Sequence, residues 1–257
     1  MREAYLELQH QSLMIYSNKT STEYLLVHDF RSNDFLILQS IYQILALFSG
    51  GRSRIQCSKP LSDTFPVHPD SYSYQAKQSD GTSGQDAFPI ANHFDYGDMR
   101  FLHLGSPAVQ GSMKISKPYE IHLEYQQRMM AWLLFTDLDK VNQLHVMQLG
   151  LGAASLTKFC NITLGMKTTA IELNPDVIET CKRWFHLPEN NDNLQVIESD
   201  AAIVAQDSEW FGKIDVLQVD LYDQAAESPV LDTAIFYANC HRLLRPNGCM
   251  TVNVFGR

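Results

Sequence analysis

The sequence predicts an α/β fold: a doubly wound parallel sheet preceded by a small β-hairpin domain. Two observations carry this. Short apolar runs at 145–149, 168–172, 194–198, 215–220 and 249–255 alternate with helical patterns at 154–163, 175–186, 200–206 and 230–244, and strands separated by helices return in parallel. The first run also breaks into Gly150-Leu-Gly152-Ala-Ala-Ser, where residues lacking a Cβ let the chain turn off a strand and let a ligand approach its backbone. With 257 residues and 45% hydrophobic composition, the chain can bury one good-sized core and a small accessory domain.

Taken in order, residues 1–55 mix short apolar runs at 13–16 and 24–27 with polar breaks and carry no motif. The apolar stretch 35–48 contains glutamines, is too short to cross a bilayer and lies too far into the chain for a secretory signal. No membrane partner is expected. Residues 56–91 shift to Ser, Asp, Pro, Gly and Gln, a composition that reads as a linker or loop. Residues 92–140 form the small domain. Turn signals at Gly97-Asp98 and Gly105-Ser-Pro107 set off strands at 99–104 and 108–115. Pro118 then opens a helix to about Asp137, with Met129, Met130, Trp132, Leu133 and Leu134 on its apolar face. Residues 141–257 form the ligand-binding domain.

The five cysteines are odd in number, dispersed and without a C-x-x-C pair, which argues against a disulfide framework or a zinc site and suits reduced cytoplasmic thiols. A net charge of −9 without a Lys/Arg block disfavours nucleic acid and is compatible both with a cationic substrate and with ordinary acidic solubility.

Acids punctuate the carboxyl ends of the expected strands, the rim where ligands of such sheets sit. Glu172 falls twenty-two positions beyond Gly150, where a carboxylate accepts hydrogen bonds from ribose hydroxyls. The third glycine of a dinucleotide fingerprint would fall at Ser155, so an adenosine without pyrophosphate is expected. Asp200 either accepts from an adenine amino group or caps the helix that follows. Asp220 and Asp223 stand where two carboxylates can orient a substrate amine and take its proton; Asp223 also reads as a cap for a loop or helix start.

These blocks, namely Leu149-Gly-Leu-Gly152, Ala170-Ile-Glu-Leu-Asn174, Glu198-Ser-Asp-Ala201 and Asp220-Leu-Tyr-Asp223, occur in the order found in the polyamine aminopropyltransferases, the spermidine and spermine synthases. Residues 98 to 257 resemble that family. Upstream, Val109-Gln110 and Tyr125 resemble its Val-Gln and Tyr-His-Glu elements. The resemblance implies a methyltransferase-like Rossmann domain behind a small β domain. It implies transfer of the aminopropyl group of decarboxylated S-adenosylmethionine, without metal, to putrescine or a related diamine, and a homodimer. By the same carry-over, Asp220 is the catalytic acid/base group, and Asp223, Tyr222, Gln110 and Tyr125 bind or wall the amine substrate. Gly150, Gly152, Glu172 and Asp200 then hold the adenosyl co-substrate.

The chain departs from the family pattern in three places. An aspartate of the glycine turn is Ala153, the second and third places of Tyr-His-Glu are Gln126 and Gln127, and the sequence ends just after the expected fifth strand. Ala153 leaves open an S-adenosylmethionine-dependent methyltransferase. The two glutamines and the ending leave open a nucleoside-binding relative without turnover. The ending also predicts an incomplete domain whose last strand, 249–255, exposes an edge: two chains pair across it, the apolar segments of residues 1–55 cover it, or the protein aggregates, with pairing ranked first.

Overall fold

The computed structural model describes residues 12–17, 24–29, 88–222 and 231–253. Two sheets organise them. A three-stranded antiparallel sheet runs β3 (Ala91–Tyr96), β4 (Met99–Leu104), β5 (Val109–Lys114). A seven-stranded sheet contains β6 (His145–Leu149), β7 (Lys167–Glu172), β8 (Leu194–Glu198), β9 (Ile214–Val219) and β10 (Leu244–Asn253), joined at its far side by β1 (Ser12–Ser17) and β2 (Tyr24–Asp29). Its order is β2-β1-β10-β9-β6-β7-β8. The five strands from β6 onward are mutually parallel, as the alternating pattern predicts.

Strands β6, β7, β9 and the second half of β10 are buried on both faces, which explains their apolar character, whereas β8, at the edge, alternates buried with exposed residues. Val146, Val216 and Cys249 face one core cluster with Met129, Met130, Trp132, Leu156 and Phe159. The alternate residues Met147, Leu149, Leu217, Val219, Met250 and Val252 face the other, with Phe236, Cys240 and Leu243. Cys160, Cys181, Cys240 and Cys249 are buried free thiols; Cys57 lies outside the described residues. No helix among the described residues is long and apolar enough to cross a membrane.

The expected helix from Pro118 is corrected. Helix α1 spans only Glu124–Met129 and tightens into a 3₁₀ segment, Met130–Phe135. Met129 through Leu133 are all buried, and five consecutive buried residues cannot share one face of a 3.6-residue helix. The tighter turn carries them against the sheet. Further on, α2 (Ser155–Lys158) runs into a π-helical turn, Phe159–Thr163, and α3 (Pro175–Trp184), α4 (Ala201–Val204) and α5 (Ala234–Leu243) fill the remaining crossovers.

Two other expectations change. Strand β3 begins at Ala91, the last residue of the stretch that reads as a linker, so the small domain is a three-stranded sheet rather than a two-stranded hairpin. The rest of that linker, through residue 87, lies outside the described residues, as does the apolar run 35–48. The edge of β10 is not open. Strand β1, drawn from the unassigned first 55 residues, pairs antiparallel with it from Leu13↔Asn253 to Ser17↔Cys249, and β2 pairs with β1. Of the three outcomes expected for this edge, cover by the amino-terminal apolar segments is the one observed, and the backbone groups that would have recruited a second chain through β10 are bonded within this one.

Three contacts seat the small sheet on the large one. Asp176 Oδ2 accepts from the Ala91 backbone N–H at 2.6 Å, Asn174 Nδ2 donates to Pro89 O at 2.8 Å, and Ser155 Oγ donates to Ser112 O at 2.9 Å. Gly111 makes the approach possible: a Cβ there would lie 2.7 Å from that of Ala153. The space between the sheets becomes the site.

Candidate active site

A cavity of about 540 Å³ opens at the carboxyl ends of β6, β7, β8 and β9, with the small sheet as its roof. Gly150, Gly152, Glu172, Asp200, Asp220, Tyr222, Gln110 and Tyr125 all line it. The eight residues come from separate stretches of sequence, and the fold gathers them. Asp223 lies outside the described residues.

The floor is the turn after β6. Gly150 adopts φ +89° and Gly152 φ +50°; Ala154, although not glycine, also adopts a left-handed φ of 58°. Gly150 N–H donates to Ile171 O at 2.9 Å, and Asp220 N–H donates to Leu149 O at 2.9 Å, so the turn is clamped between the ends of β7 and β9.

Glu172 closes β7 with both oxygens engaged. Its Oε2 accepts from Leu151 N–H and its Oε1 from Asn174 N–H, each at 2.9 Å. Burial pushes its carboxyl pKa up, while the backbone N–H groups of Asn174, Leu151 and Leu173 oppose that shift by holding the charged form. A carboxylate so fixed still offers further lone pairs to the cavity. The same bonds mean that Glu172 braces the glycine turn. Asp200 accepts from Ala202 N–H at 2.7 Å and caps α4. Capping leaves its second oxygen for a ligand, so the two expected roles are compatible.

Asp220 is buried beside Asn253 and Tyr125. Asn253 Nδ2, from the end of β10, donates to its Oδ1 at 2.9 Å, and the Tyr125 hydroxyl of α1 stands close enough to favour its charged form. Tyr222 OH in turn donates to the Asn253 carbonyl at 3.2 Å. Burial raises the Asp220 pKa above the ordinary aspartate range, opposed by Asn253 and Tyr125. Tyr125 is held well above the usual phenol range by burial and then by the Asp220 charge, so it stays protonated and serves as a donor.

Asn253 is the site residue that sequence reasoning missed. Its signal was the one that marks the acids, a polar side chain closing the carboxyl end of an apolar strand. Of the departures from the family pattern, Ala153 is fully buried beneath Gly111 and lines no part of the cavity. Gln127 Nε2 donates to Ile121 O at 2.9 Å, and Gln127 is not part of the cavity wall. Gln126 is buried behind Tyr125 and donates to its hydroxyl oxygen at 3.2 Å.

One consequence is testable on binding alone. Glu172→Ala removes the acceptor at the ribose position and leaves the Leu151 and Asn174 N–H groups without their partner. Charge-assisted hydrogen bonds contribute about 1.5–3 kcal/mol, so affinity for methylthioadenosine should fall roughly 10- to 150-fold by calorimetry. Parental affinity in the mutant would place the nucleoside elsewhere.

No protein-family model matches the chain. Individual relatives do. It is 33% identical over 169 residues to a polyamine aminopropyltransferase of Chromobacterium violaceum, covering 65% of this chain and 62% of the relative. It is 34% identical over 167 residues to a polyamine aminopropyltransferase of Neisseria meningitidis, with the same coverage. Among solved structures, a probable spermidine synthase from Corynebacterium glutamicum superposes with a TM-score of 0.50 at 19% identity, over 65% of this chain and 64% of that one. At that identity the superposition establishes the fold. The chain spans less than two thirds of the length of these curated relatives, and over that span it is homologous to the polyamine aminopropyltransferases.

Proposed function

We propose that this chain carries an aminopropyltransferase site that joins the aminopropyl group of decarboxylated S-adenosylmethionine to a diamine such as putrescine. The observation that carries the proposal is the charge of the cavity wall: Glu172, Asp200 and Asp220 line it, and no Lys, Arg or His does among the described residues. Both proposed substrates are cations, and a site lined by carboxylates alone favours them.

In this reading Glu172 and the glycine turn hold the ribose, and Asp200 holds the adenine. Asp220, steadied by Tyr125 and Asn253, faces the amine. A primary amine is mostly ammonium at pH 7 and must lose a proton before it can attack. Asp220 orients the ammonium and accepts that proton. The freed nitrogen lone pair attacks the carbon beside the sulfonium and forms the C–N bond. The C–S bond breaks with its electron pair going to sulfur, leaving neutral methylthioadenosine, and the proton on Asp220 passes to water. A cytoplasmic homodimer belongs to the same proposal; the β10 edge is not its pairing surface, since β1 occupies that edge.

The same observation separates this reading from methyl transfer. S-adenosylmethionine carries a carboxylate that the decarboxylated donor lacks, and the described wall supplies no cation to meet it. Calorimetry should therefore rank decarboxylated S-adenosylmethionine at least tenfold tighter than S-adenosylmethionine, about 1.4 kcal/mol. The reverse ranking favours a methyltransferase, and binding without product in an amine assay favours a non-catalytic relative.

A further inference from the structure

We infer that strand β1 is a positioning element of the active site: its pairing with the carboxyl end of β10 holds Asn253 where that side chain donates to Asp220. The inference rests on the reading of Asp220 as the acid/base group and extends it to a strand from the start of the chain.

Asn253 stands one residue beyond the reach of β9. The register of β10 with β9 runs to Val252↔Val219, whereas its register with β1 runs on to Leu13↔Asn253. Strand pairing therefore holds the Asn253 backbone from the β1 side. Two bonds rely on that backbone: Nδ2 donates to Asp220 Oδ1 at 2.9 Å, and the carbonyl accepts from Tyr222 OH at 3.2 Å. Side chains alternate between the faces of a strand, so a change in the extended geometry of this residue redirects its amide. A strand end without a paired neighbour frays at almost no cost in free energy, and a fraying Asn253 gives up its bond to the acid.

The order of the sheet, β2-β1-β10-β9-β6-β7-β8, limits what β1 can influence. Gly150, Glu172 and Asp200 stand at the ends of β6, β7 and β8, on the far side of β9. The Asp220 backbone is tied to that side too, by its N–H bond to Leu149 O at 2.9 Å. Its side chain is tied the other way, to β10 through Asn253. Loosening β1 should thus release the carboxylate and leave the nucleoside half of the site in place. A strand that merely added stability would weaken both halves together.

The experiment uses the full chain with Leu13→Pro and Met14→Pro together. Consecutive strand N–H groups face opposite neighbours and proline supplies none, so the two changes loosen β1 opposite Asn253 and leave residues 15–17 to hold the rest. The Asn253 side-chain ¹⁵NH₂ signal, assigned by its loss in Asn253→Ala, should exchange with water roughly tenfold faster, the equivalent of one hydrogen bond. In the same variant kcat at saturating amine should fall roughly tenfold, with methylthioadenosine affinity within about twofold of the parent. In an Asn253→Ala background the two prolines should lower kcat no further.

Ser17→Cys tests the pairing itself. Ser17 stands opposite Cys249; paired Cα atoms lie about 4.5–5.5 Å apart, and a disulfide spans that distance. Mild oxidation should join the introduced thiol to Cys249, and the tether keeps β1 in place while the prolines loosen its end. Parental exchange in the proline variant, a loss of kcat that adds to that of Asn253→Ala, an equal loss of nucleoside affinity, or no bond to Cys249 would each overturn the inference. The exchange and affinity measurements need no turnover. A chain that shows the exchange change but makes no product loses the proposed activity and keeps this linkage.

Discussion

Asp220→Asn should abolish aminopropyl transfer while leaving methylthioadenosine binding within about twofold of the parent. General-base assistance supplies on the order of 10²- to 10⁴-fold, and the amide cannot take a proton. The surroundings tolerate the exchange because the new side chain keeps one acceptor oxygen for Asn253 Nδ2. The loss should therefore appear in kcat at saturating amine, with the thermal midpoint little changed. Because burial raises the Asp220 pKa, the parental rate should fall as pH drops through a value above the usual aspartate range. A mutant that turns over at the parental rate would remove Asp220 from the chemistry and leave a nucleoside-binding protein.

What was legible in the sequence follows from how local each signal is. The parallel strands could be placed because each is a short run with a buried apolar set that ends at a turn or helix signal, so strand, turn and helix are spelled out in consecutive residues. Glu172 and Gly150 could be found for the same reason, since a strand end and the turn beside it fix both. Strand β1 could not, because its pairing with β10 joins Leu13 to Asn253, and no short window of sequence records a partner so distant. Strand β3 was hidden by its polarity. Asn92, His93 and Asp95 interrupt its apolar residues, and only the contacts to α3 show why such a strand is held. Gln126 takes the second place of the Tyr-His-Glu element, yet the structure buries it behind Tyr125 and out of the cavity wall, which no sequence pattern could show.

Gly150→Ala should be the most damaging single substitution in the turn. At φ +89° an L-residue is strained whatever the space around it, and a Cβ at this position would overlap the Asp220 carbonyl oxygen and lie 3.0 Å from its carbon. That carbonyl cannot easily withdraw. Asp220 N–H is bonded to Leu149 O, and the strands on either side are paired in parallel as far as Leu149↔Val219. Relief requires the ends of β6 and β9 to separate, which displaces Asp220 from Tyr125 and Asn253. Backbone strain costs of order 1–3 kcal/mol and overpacking a comparable amount, so denaturant unfolding should show a loss of roughly 3–5 kcal/mol. Gly212→Ala is the matched control. Its φ is +64° with nothing within 4 Å of a built Cβ, so it carries only the left-handed cost of roughly 1–2 kcal/mol. If the two variants lose equal stability, steric contact with Asp220 is not what requires glycine at 150. If Gly150→Ala is markedly worse and also loses turnover, the turn that admits the nucleoside is the one that holds the acid in place.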